Sequence, residues 1–158
     1  MLGDPEQHGR DALELFGASR ICERRGESAR ARVLYERSIA AELPAETERA
    51  AHRSLARLAK REGDHALASQ LWEKMLGDTR EGFEAYEQLA IHYERQAREP
   101  HRAAELARNA LAALRRANRL GAIAAPAYRQ KKERFEKRLA RLERNVRTGL
   151  LDTMRGDR

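Results

Sequence analysis

The chain has 158 residues and carries 32 Lys+Arg against 25 Asp+Glu, a formal charge of +7, which is enough chain for one domain with a buried core of its own. Ala, Leu, Arg and Glu supply 93 residues while Val, Ile and Thr supply ten, a balance that starves any sheet and predicts an all-α protein. Cys22 is the only cysteine, so an internal disulfide is excluded; with no signal-peptide-like start and no apolar run near the ~18 residues of a membrane span, a cytoplasmic protein without membrane partners is expected.

Taken in order, apolar spacing of three to four predicts helices near 5–25, 28–42, 45–62, 65–76, 79–97, 100–120 and 127–147. Asp4-Pro5-Glu6 opens the first of them directly after Met1 to Gly3, an abrupt start that suggests the end piece of a larger protein. Leu15, Phe16, Ser19 and Cys22 form its apolar stripe, with Cys22 expected as a small buried residue. Gly26 and Gly63 stand where first helices should end, because a left-handed residue there costs glycine little. Asp64 follows as a cap, and Asp78-Thr79-Arg80-Glu81 has the spacing of a capping box. Pro44, Pro100 and Pro126 mark helix starts, where the missing N–H is no loss.

Three segments, beginning at Gly26, Gly63 and Pro100, repeat one pattern. Their small residue recurs as Ala31, Ala68 and Ala103; their bulky position is Tyr35, then Trp72, then lapses to Ala107. A helix precedes each segment, carrying Leu15 to Cys22, Leu55-Ala56 with Ala59, and Leu89-Ala90 with Tyr93. Each unit is thus helix, turn, helix, and a single pair has too little partner surface to bury its own stripe. The pattern resembles the tetratricopeptide repeat over residues 12–120, in degenerate form. The implied architecture is an α-solenoid of three such pairs closed by a long C-terminal helix, one domain over 1–148 with a frayed tail at 149–158. The seventh helix has an apolar stripe of Tyr128, Phe135, Leu139, Leu142 and Val146, and nine Lys+Arg against three Glu between 127 and 147. It is expected to cap the last repeat; docking polyanions is its sharper alternative.

No catalytic grammar accompanies this scaffold. His8, His52, His65, His92 and His101 lack metal-ligand spacing, and the ten glycines never gather into a phosphate loop. Neither an enzyme, a cofactor nor a small-molecule substrate is expected. The charge lies unevenly, −3 over residues 1–100 and +10 over 101–158, so one end should attract polyanions. In the tetratricopeptide family the first helices line a concave groove. The resemblance assigns to it Phe16, Arg20 and Glu23 with Arg24 adjoining, then Arg53, Arg57 and Lys60, then Glu87, Ile91 and Glu94 with Arg95 adjoining. Arg20, Arg24, Arg53, Arg57, Lys60 and Arg95 are therefore the expected partner-binding residues, in a groove basic at its first two units and acidic at its third.

A narrower likeness rests on Leu55-Ala56-Arg57-Leu58-Ala59-Lys60-Arg61-Glu62-Gly63-Asp64, Leu89 to Arg95, and Glu99-Pro100-His101 onward to Ala107. Together these resemble the helical C-terminal region of bacterial ribonuclease-H-like exonuclease proteins, in which a DEDD-type nuclease domain precedes a tetratricopeptide-like tail. No nuclease motif is present in these residues, so the resemblance implies an accessory module. The expected partner is a protein or acidic peptide. A nucleic-acid backbone is the alternative, bound without sequence preference because aromatics are only 5% of the chain.

Overall fold

The computed structural model describes residues 5–76 and 82–156. These form seven α-helices and no strand: α1 (Pro5–Arg24), α2 (Ser28–Ala40), α3 (Ala45–Arg61), α4 (His65–Met75), α5 (Gly82–Arg95), α6 (Pro100–Arg119) and α7 (Ala125–Arg155). The expected all-α class is observed. The expected capping box at 78–81 lies outside the described residues. Where the sequence suggests one domain over 1–148, the chain divides within α4 into two compact units, one ending at Leu71 and the other beginning at Trp72.

In the first unit the helix ends are made by local chemistry. Gly26 adopts φ +77°, its N–H donating to Glu23 O at 3.0 Å while Glu27 N–H reaches Cys22 O at 2.9 Å. Gly63 closes α3 with the same pair of bonds, to Lys60 O at 3.1 Å and, from Asp64, to Ala59 O at 2.9 Å. These bonds satisfy carbonyls that a helix end otherwise leaves open. Asp64 then caps α4, accepting from Leu67 N–H at 3.2 Å and from Arg32 Nη2 at 2.8 Å. Arg32 also reaches Glu62 at 3.0 Å, tying α2 to the α3–α4 turn. The Leu67 amide and the Arg32 guanidinium hold the Asp64 carboxyl below its usual range.

The core of this unit lies on the repeat positions. Ala31, Tyr35, Ala56 and Ala59 are wholly enclosed, and Leu55 and Cys22 nearly so. Tyr35 meets Phe16 edge-to-face at 6.0 Å and donates its hydroxyl to Glu23 at 2.7 Å. Buried Ser19 and Ser38 donate back to the carbonyls of Phe16 (2.6 Å) and Tyr35 (2.8 Å), so neither hydroxyl is left unsatisfied.

In the second unit the turn before α6 departs from the glycine pattern. Arg98 takes φ +55°, a left-handed conformation that costs an L-residue roughly 1–2 kcal/mol; Glu99 N–H to Tyr93 O at 2.7 Å completes the turn. Buried Ala103, Ala107, Ala110 and Leu114 give α6 a flat apolar face, and α7 lies on it through Phe135 and Leu139, with Leu142 buried further along. The expected closing helix is therefore present, but longer. It runs to Arg155 rather than ending at 147, and the tail expected to fray from 149 is helical. Gly149 alone costs a helix only ~1 kcal/mol, and no proline follows it. Leu150, Leu151 and Met154 are exposed on these last turns.

Tyr93 joins α5 to α4 and α6. Its hydroxyl donates to Glu73 Oε1 at 2.6 Å, and the Arg102 guanidinium stacks over its ring at 4.2 Å while pairing with Glu73 at 3.5 Å. Burial first, and the Glu73 carboxylate second, push the phenol from 10 up to about 12. A phenol harder to ionise when folded gives stability that is complete below pH 10 and lost as pH rises towards 12. Melting curves across that window should show a shallower alkaline decline for Tyr93→Phe than for the parent chain. Parallel declines would mean that Tyr93 does not contribute to it.

Candidate interaction site

The first helices, α1, α3 and α5, present the charges that the repeat register singles out. On α1, Arg20 and Arg24 are exposed one turn apart. On α3, Arg53 is half-buried while Arg57 and Lys60 are exposed, and spacings of four and three put the three on one face. Glu23, the acid expected among them, turns inward: it accepts from the Tyr35 hydroxyl and pairs with Arg61 at 3.6 Å. That pairing also links the end of α3 to α1.

The corresponding face of α5 is occupied. Glu87 and Glu94, expected in the open groove, lie under α7 with side chains only 24% and 16% exposed. Glu94 accepts from Arg138 Nη1 at 3.1 Å and from Arg141 Nε and Nη2 at 3.1 and 2.7 Å. Glu87 accepts from Arg134 Nη2. Arg138 is itself 17% exposed. Burial, together with the nearby Arg141 and Arg95, holds its guanidinium below the usual value, while Glu94 and Glu87 oppose that shift. Arg95, exposed at the end of α5, thus belongs to the setting of α7.

Arg134, Arg138 and Arg141 were not among the expected site residues. Their signal was available as a spacing: arginines seven apart at 134 and 141 match carboxylates seven apart at 87 and 94. The match carries meaning only once α7 is known to lie against α5.

Among the described residues no three of His, Cys, Asp or Glu gather into a set able to hold a metal, and no helix is long and apolar enough to cross a membrane. Comparison with protein-family models, curated proteins and solved structures finds no match to the chain.

Proposed function

We propose that the chain is a non-catalytic, tetratricopeptide-like α-solenoid scaffold whose α3 face, through Arg53, Arg57 and Lys60, binds an acidic helical segment of a protein partner. Arg20 and Arg24 on α1 supply further cations for the same segment. The supporting observation is the seating of α7 on α5, where arginines of one helix grip Glu87 and Glu94 of the other. Arg53 and Lys60 stand 34 positions before Glu87 and Glu94. In the repeat register the α3 face is therefore the α5 face with its sign reversed. A helix with carboxylates seven apart is its charge complement, and guanidinium groups suit carboxylates because their paired N–H donors match two oxygens.

The test reverses Arg57 and Lys60 together, to Glu, since both are exposed, with circular dichroism confirming that the variant folds. Exposed pairs contribute only ~0.2–1 kcal/mol each, but reversal replaces two attractions with two repulsions. Fluorescence anisotropy with a helical peptide bearing Glu at seven-residue spacing should show binding weakened about tenfold or more. Undiminished binding overturns the proposal. Tight, salt-sensitive capture of oligonucleotides in place of the peptide would instead favour an accessory nucleic-acid-binding region.

A further inference from the structure

Two cavities of opposite character in the second unit share lining residues. One, about 200 Å³, is a groove between α5 and α7 whose wall includes Lys131, Arg134, Arg138 and Arg141 with Glu87. The other, about 280 Å³, lies at the end of α6 and is lined by Ala113, Ala117, Leu120, Ala122 and Ile123, with Arg116 and the shared lysine the charges among its described lining. Phe83 and Lys131 line both.

Among the described residues the groove holds more positive charge than its own acids neutralise. Arg134 is taken up by Glu87, Arg138 and Arg141 share Glu94, and Lys137 turns to Glu133 at 2.6 Å. Among the described residues no carboxylate pairs with Lys131, although it is half-buried. An oxyanion beside Lys131 and Arg134 would relieve this excess. The neighbouring pocket limits what that oxyanion is attached to. Its apolar wall offers almost nothing to the ring nitrogens and exocyclic groups of a nucleobase, which would be buried unpaired. An alkyl chain has no such groups. Leu120, at 81% the most exposed large apolar side chain described, stands on the pocket wall where a bound chain would cover it.

We infer that this bipartite cavity binds a soluble anionic amphiphile of the fatty-acid kind, its carboxylate on Lys131 and Arg134 and its chain against Phe83, Ala117, Leu120 and Ile123. No single stretch of sequence announces such a ligand, because the site is assembled from α5, α6 and α7 together. It is independent of the α3 face and of the acidic partner proposed there.

Calorimetric titration of the full chain with monomeric decanoate tests it, with decyltrimethylammonium, inorganic phosphate and phosphatidate vesicles as comparison probes. Decanoate should bind saturably, one per chain, and the cationic amphiphile should not. Lys131→Glu and Ile123→Asp should each weaken binding about tenfold or more, and Leu151→Asp, on the exposed end of α7, should leave it unchanged. Lys131→Gln, a milder change, should show an intermediate loss, with circular dichroism confirming that every variant is folded. Equal binding of the two amphiphiles, phosphate binding as strongly as decanoate, capture of vesicles alone, or indifference to the Lys131 and Ile123 changes would overturn the inference.

Discussion

Phe135→Ala is expected to destabilise the unit beginning at Trp72 by about 3–4 kcal/mol, lowering its melting temperature by roughly 12–30 °C. Phe135 is 5% exposed and shares a buried cluster with Ala107, Ala110, Leu111 and Leu114. Two of those neighbours are alanines with no side chain to extend into the void, so the cavity would persist. The repeat register explains why they are alanines. Tyr35 and Trp72 occupy the bulky position on their own second helices, and both are buried. At Ala107 that bulk is missing, and the ring comes instead from α7. Ala107→Phe should therefore recover part of the loss in the Phe135→Ala background. Alone it should overpack and cost roughly 1–3 kcal/mol. Urea melts of the four chains give the coupling directly; additive effects would show that the two positions do not share one space.

Glu94→Gln should cost about 2–3 kcal/mol, well above the ~1 kcal/mol or less expected for Glu87→Gln. Glu94 and Arg138 are both little exposed, and Arg141 shares the same carboxylate. Removing the charge leaves the Arg138 guanidinium half-desolvated beside Arg141 and Arg95 with its principal counter-ion gone. A fully buried pair broken in this way loses ~3–5 kcal/mol, and the residual exposure here reduces that figure. Glu87 meets Arg134, whose side chain is 60% exposed, so water compensates there. Urea denaturation at low and high salt separates the two: the Glu94 penalty should persist where the Glu87 penalty fades. Hydrogen exchange along α7 should rise in Glu94→Gln, because that carboxylate anchors the helix. Equal penalties for the two glutamates would contradict this account of the docking.

Much of this architecture was legible in local signals. The six helix boundaries set by Gly26, Pro44, Gly63 and Pro100, at Arg24, Ser28, Ala45, Arg61, His65 and Pro100, fall within about one residue of expectation. Left-handed glycines and helix-opening prolines act through their own backbone, so neighbours far along the chain do not alter them. Ala31, Ala68 and Ala103, read from their recurrence, are all buried, as are Leu55, Trp72, Leu89 and Tyr93. The helix expected to end at 147 runs on to Arg155 because a stop needs a positive signal, and Gly149 without a following proline gives too weak a one. The covering of the third unit's acidic face by α7 is invisible in sequence because the register of one helix contains nothing about what lies over it.

The sequence by itself determined which stretches are helical, where they begin, and which side of each is apolar, since periodicity and capping act over a few residues. Only the tertiary structure decided that the acidic face of α5 is taken up by α7. Glu94 meets Arg138 and Arg141 across 44 and 47 positions of chain, and Phe135 fills a space left at Ala107. Such pairings depend on how α7 comes down on α5 and α6, a choice made by packed surfaces that no local rule connects.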